Sequence, residues 1–215
     1  MSDKSNKYGY VGVDIPAQSF GSNKGVFNPA EINELVADNQ WTTFGQLELI
    51  ETKIASADSQ IIFNDIKEST YNVHFLTVTN YTASADGIDL GIRFFENGVE
   101  ETASVYQYAY QYGSSGVVGF GESKLTSVDR LLASASTGNQ ANEVGNSYNY
   151  FYNLGNSSKY SFQTVQSTNI RLDSSYIMTF GSGVLPQAST VNQIKLYTYS
   201  GTFSATASLY GIRYS

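Results

Sequence analysis

From residue 46 to the end of the chain, hydrophobic and polar positions alternate with a period of two, interrupted at short intervals by Gly, Asn and Ser. "QLELIE" (46–51) sets Leu47 and Leu49 against Glu48, and "SQIIFNDI" (59–66) follows. In "YNVHFLTVT" (71–79), Val73, Phe75 and Thr77 share one face while His74, Leu76 and Val78 share the other. Both faces carry apolar side chains, which predicts an inner strand. "GIDLGIRFFENG" (87–98) predicts a strand closed by an Asn97-Gly98 turn. "SVYQYAYQYG" (104–113) places Tyr106, Tyr108, Tyr110 and Tyr112 on one face, and "SYNYFYNLG" (147–155) repeats the device with Tyr148, Tyr150 and Tyr152. Between them the pattern predicts a glycine-rich loop (113–121), one strand around "SKLTSVDRLLAS" (123–134) and a long loop (137–146). "KYSFQTVQS", "SSYIMTFGSG", "STVNQIKLYTYSG" and "TFSATASLYGIRYS" complete the series. In the last segment, Phe203, Ala205, Ala207 and Leu209 point one way and Tyr210, Ile212 and Tyr214 the other, with Gly211 a candidate for a bulge that swaps the faces.

The first 45 residues follow a different rule. "YGYVGVDIPAQSFGSNKGVF" (8–27) mixes aromatics with Gly, Pro and Ser without a steady period and reads as an extended arm. "NPAEINELVADNQW" (28–41) is the one convincing helix. Asn28 suits an N-cap, Pro29 the first helical position, and Glu31 the third position of a capping box. Ile32, Leu35 and Val36 form a short apolar stripe that must dock on something. Many short strands after one helix predict an all-β fold, an antiparallel β-sandwich of jelly-roll type over residues 46–215, preceded by an N-terminal arm and docking helix over 1–45.

Composition narrows the function classes. The chain has 215 residues and no cysteine, so disulfide frameworks and thiolate metal sites are excluded. A net charge of −7 without a run of Lys or Arg argues against a nucleic-acid partner. No stretch approaches the length of apolar sequence that spans a bilayer, and the N-terminus lacks the apolar core of a secretory signal, which predicts synthesis in a cytoplasm without membrane insertion. Charged residues are only 14% of the chain, while 17 residues are Tyr and 19 are Gly, a balance suited to extended β-surfaces and repeated contacts.

Catalytic chemistry finds little support. His74 is the only histidine, and its apolar neighbours Phe75 and Leu76 make it a packed strand residue rather than a triad member or zinc ligand. Glu100, Glu101 and Glu122 are loose carboxylates with no spacing that singles out a glycosidase pair. Asp86 and Asp89 in "DGID" lack the ligand density of a calcium loop and read as a turn. "GSSGVVGFG" lacks the lysine and following helix of a phosphate cradle. The expectation is therefore a protein that is not an enzyme and carries no cofactor or metal. The tyrosine ladders are the best binding signal. Tyr106, Tyr108, Tyr110, Tyr148, Tyr150 and Tyr152 are candidates for a surface that meets a sugar or a partner, against the ordinary reading that they pack across strands.

The arm with its helix and "GQLELIE", the pattern "YNVHFLTVTNY…LGIRFFENG…YQYAY", and the closing "SGTFSATASLYGIRYS" resemble virion structural proteins from tailed phages of marine bacteria, the cyanophage-like group. The resemblance spans almost the whole chain and brings no active site with it. It implies a tail-fibre or capsid-associated component, located in the virion, with other virion proteins and copies of itself as partners, a trimer among the candidate forms. Tyr8, Tyr10, Phe20, Phe27, Ile32, Leu35 and Trp41 are then the expected anchoring residues, and a receptor- or glycan-binding module that meets host surface glycan is the alternative.

Overall fold

The computed structural model describes residues 29–37 and 47–212. The chain divides into two units, 1–45 and 46–215. In the first, the helix α1 (Pro29–Ala37) is present, with Ile32 and Leu35 half-buried. Asn28, Tyr8, Tyr10, Phe20, Phe27 and Trp41 lie outside the described residues, as do the arm at 8–27 and Tyr214.

The second unit is all antiparallel β. In chain order the strands are β1 (Leu47–Asp58), β2 (Gln60–Phe63), β3 (Val73–Ala83), β4 (Ile88–Glu96), β5 (Val99–Glu100), β6 (Tyr106–Ser114), β7 (Phe120–Val128), β8 (Leu131–Thr137), β9 (Gly145–Tyr152), β10 (Ser161–Ile170), β11 (Tyr176–Leu185), β12 (Val191–Tyr197) and β13 (Phe203–Ile212). An 8-stranded sheet runs β1-β13-β3-β9-β10-β11-β6-β7; the smaller sheet runs β2-β12-β4-β5, with β8 also paired to β4. β3 lies between β13 and β9, the inner position its two apolar faces predict.

One regularity organises the pairing. β1 pairs with β13, β2 with β12, β3 with β9 and β4 with β8, the pairs falling alternately in the large and the small sheet. The chain is a double ribbon wound around a common core. Two hairpin-like excursions, β6-β7 and β10-β11, extend the large sheet past β9. The core is filled from both sheets: Leu76, Val78, Tyr81 and Leu209 from the large sheet meet Leu90, Ile92, Phe94, Ile194 and Leu196 from the small one. Phe94 meets Phe151 edge-on at 5.6 Å between ring centres. Truncating such a residue to Ala costs about 3–5 kcal/mol.

A polar seam interrupts this core where β8 crosses the large sheet. β8 has a strand partner on one side only, β4. Some of its other carbonyls are met by amide side chains rising from the large sheet: Gln163 Nε2 donates to Leu132 O at 2.8 Å, and Asn169 Nδ2 donates to Ala135 O at 2.8 Å. Gln163 also donates to Asn149 Oδ1 at 2.8 Å. Buried carbonyls left bare would each cost about 1–3 kcal/mol, so these amides let a strand edge sit inside the protein.

Three sequence expectations are corrected. The segment 123–134 holds the end of one strand and the start of another, β7 and β8, because Asp129 and Arg130 carry the chain from the large sheet to the small one. β7 begins at Phe120, inside the expected loop. Gly211 hosts no bulge: β13 pairs with β3 in unbroken register from Thr206 to Ile212. Its hydrogen side chain instead accommodates the Tyr71 ring, whose atoms would lie 2.3 Å from an added Cβ.

Candidate functional site

The register places the two tyrosine ladders on opposite faces of one sheet. Tyr150 pairs with Thr164, Thr164 with Ser182 and Ser182 with Ala109, so the β9 tyrosines share a face with Ala109, and Tyr108 and Tyr110 lie on the other. The expected single surface made by both ladders does not exist. Tyr106 is corrected outright: it is completely buried, accepts from Phe94 N at 3.0 Å and donates to Glu101 O at 3.3 Å. Burial pushes its hydroxyl well above the usual tyrosine range. Tyr108 and Tyr110 stack at 5.1 Å on the inner face.

The β9 ladder lies on the outer face of the large sheet. Phe75 of β3 is the hub of an aromatic group there, 4.7 Å from Tyr150, 6.0 Å from Tyr210 and 6.2 Å from Tyr148. Tyr148 donates to Gln166, and Tyr152 meets Thr164 at 3.4 Å. Phe162, Phe180 and Tyr176 extend this face, each more than two-fifths exposed. Six consecutive strands, β13-β3-β9-β10-β11-β6, contain no Asp, Glu, Lys or Arg. Charge returns only at the flanking strands, with Glu48, Glu51, Lys53 and Asp58 in β1 and Glu122 and Lys124 in β7. Charged edges around an uncharged middle discourage edge-to-edge strand pairing while leaving the face itself free to be covered.

The outer face of the small sheet is built differently. Arg93 donates to Asp129 O at 2.9 Å, to the Asp129 carboxylate, and to Glu100 Oε1 at 3.1 Å. Lys195 reaches both oxygens of Glu100 at 3.0 Å, and Arg130 reaches Asp129 Oδ1 at 2.9 Å. The Arg93 guanidinium also lies 4.5 Å over the Tyr197 ring. Burial alone would raise Glu100, but Lys195 and Arg93 hold it below its usual range. Burial raises Tyr197 to about 12.

The remaining candidates are structural. His74 is fully buried, with Nε2 2.7 Å from Ile66 O. Burial lowers its pKa to about 4, outweighing that hydrogen bond, so it is neutral at pH 7 and the Nε2–H tautomer donates to the carbonyl. Asp89 accepts from Ser136 N at 2.8 Å, and burial raises its carboxyl against that bond and Arg130. Glu101 caps Ala103 N at 2.7 Å and Glu122 pairs with Lys124 at 3.0 Å.

Sequence reasoning missed one feature entirely. On the inner face, at the end of β8, a cleft of about 350 Å³ is lined by Tyr110 and Tyr112, Glu122 and Ser123, Ala135 and Ser136, and Arg171, Ile177 and Thr179. These residues come from β6, β7, β8, β11 and the turn after β10, so no local pattern could announce the site.

Compared with known proteins, the chain matches no family model, no curated protein and no solved structure.

Proposed function

We propose that the protein is a non-enzymatic structural subunit, a virion component in the setting its sequence resemblance implies, whose β-sandwich associates with further copies of itself through the outer face of the large sheet. The observation that carries this reading is the run of six uncharged strands in a chain of net charge −7. Two copies of an acidic protein repel over most of their surfaces, and this face is where that repulsion is least. Its size suits the role. At about 4.8 Å per strand and about 3.3 Å per residue, six strands of about nine residues cover roughly 850 Å², close to the ~800 Å² per partner of a stable interface. The centre, Phe75 with Tyr148, Tyr150 and Tyr210, has the aromatic character of an interface core, and the Ser, Thr and Gln rows around it form a polar rim.

The wound ribbon supports a jelly-roll reading, with β1, β2, β3, β4, β8, β9, β12 and β13 as its eight strands and β5–β7 and β10–β11 as insertions. That architecture closes both sheets over one core and leaves a broad face for a neighbour. In this reading residues 1–45 anchor the subunit to the assembly and 46–215 are displayed.

Sedimentation equilibrium of the full chain tests the association. The expected result is a closed oligomer that Tyr150→Glu converts to monomer without lowering the melting temperature by more than a few degrees. A full chain that stays monomeric at its highest attainable concentration, or an oligomer that Tyr150→Glu leaves intact, overturns the assignment of this face. Immunogold labelling of purified virions with antibody against residues 46–215 tests the setting, and virions without label overturn it.

A further inference from the structure

We infer that the inner-face cleft is a saccharide site that takes a neutral pyranose unit, distinct from the self-association face. Its polar groups are arranged for a ligand that brings hydroxyls. Thr179 is fully buried, faces the cleft from β11, and its Oγ1 has no hydrogen-bond partner among the described residues. Arg171 Nε is also buried without a partner, although its guanidinium lies on the cleft wall. Buried polar atoms in folded proteins are nearly always satisfied, so an unpaired hydroxyl and an unpaired N–H just beneath the wall of one cleft mark it as a place for a polar group from outside.

The aromatic side of the cleft defines the rest of the ligand. Tyr112 sits opposite Gly121 in the β6–β7 register, and a Cβ at Gly121 would fall 2.2 to 2.6 Å from the Tyr112 ring atoms. The hydroxyl end of the ring therefore occupies the space over the bare glycine, which a side chain at 121 would deny it. Tyr110 stands beside it on the same strand face, opposite Ser123 in the register. A pyranose has an apolar C–H face that stacks on an aromatic ring and a rim of hydroxyls that need donors and acceptors, which is the pairing present here. The volume of about 350 Å³ lies at the lower end of ligand pockets, which run from about 300 Å³.

Charge selects against anions. Arg171 is the single cation in the cleft wall, and Asp173 lies 3.9 Å from its Nη1. Asp89 adds a carboxylate close enough to act on the Tyr110 hydroxyl. Glu122 lies in the wall itself, so a phosphate would find one partly compensated guanidinium facing carboxylates. Neutral hydroxyls match the unpaired Thr179 and Arg171 groups at the wall, beside the turn at Ser136, where the chain adopts a left-handed φ of 50°.

Saturation-transfer NMR on the full chain tests this with a panel of glucose, galactose, mannose, N-acetylglucosamine and their common disaccharides. At least one sugar is expected to receive saturation through its C–H protons. Thr179→Val, which keeps the shape and removes the open hydroxyl, and Tyr112→Ala should each weaken that binding roughly tenfold or more. Tyr150→Ala, on the opposite face, should leave it unchanged, so the result does not depend on the oligomeric state. Melting curves identify any variant that fails to fold, and Arg171→Gln then provides the second probe of the same cleft. No transfer to any sugar in the panel overturns the site, leaving a cleft that holds only water. Transfer that survives Thr179→Val and Arg171→Gln, or that Tyr150→Ala abolishes, places the sugar elsewhere and overturns it equally.

Discussion

The two outer faces of the sandwich solve the same problem in opposite ways. Each is a β-sheet surface with tyrosines on it. On the small sheet the tyrosine lies under cations: Arg93, Lys195, Glu100 and Asp129 form a closed network above Tyr197, so the polar groups are satisfied within the subunit. On the large sheet the tyrosines stack on Phe75 and on one another, and no charge lies within six strands. A face that has completed its own electrostatics gains little from a partner and would lose hydration by meeting one. A face of rings and hydroxyls loses little hydration when covered and gains apolar burial. The difference identifies which surface is complete alone.

The largest expected effect breaks that contrast directly. Phe75→Arg puts a charge at the hub of the uncharged face, and self-association should fall roughly 100-fold, as for loss of an interface hot spot; sedimentation equilibrium reads it. Next comes pH, which acts between the two faces. The unfolded histidine titrates near 6.5 and the folded His74 near 4, so the unfolded chain binds a proton that the folded chain refuses. Stability is full above 6.5 and is lost as pH falls toward 4, by about 3 kcal/mol. Denaturant midpoints measured across that range should show the slope, and His74→Gln should remove it.

A smaller effect sharpens the other side of the comparison. Arg93→Met leaves Glu100 to Lys195 and Asp129 to Arg130, and should cost about 1–3 kcal/mol in chemical denaturation while leaving the oligomer unchanged. If it dissociates the oligomer, the charged face is also an interface and the contrast fails. The smallest effect is that of salt. Raising ionic strength screens repulsion between copies of charge −7 and should strengthen association by a factor of a few, with stability changing by about 1 kcal/mol or less.

The sequence was informative where the signal is local. Alternation located most strands, the β3 pattern identified an inner strand, and the lone His74, followed by Phe75 and Leu76, was legible as a buried residue. Signals failed where two neighbouring segments belong to different sheets. "SKLTSVDRLLAS" reads as one strand because alternation continues in character through Asp129 and Arg130, and only the pairing partners, β6 on one side and β4 on the other, divide it. Gly211 suggested a bulge because glycine is common in bulges; its actual use is to receive the Tyr71 ring, a residue 140 positions distant in sequence.

The tyrosine ladders show the boundary most clearly. By itself the sequence determined that β6 and β9 each carry tyrosines on one face, that charge is sparse along the chain, and that the chain forms sheets. It could not determine which face meets the core, because a period of two distinguishes the faces without saying which one a second sheet will cover, and one residue of register exchanges them. Pairing across long stretches of chain turned Tyr106 inward, Tyr150 outward, and gathered Tyr112, Thr179 and Arg171 around one cleft. Those placements depend on free energies shared between strands distant in sequence, and only the tertiary structure contains them.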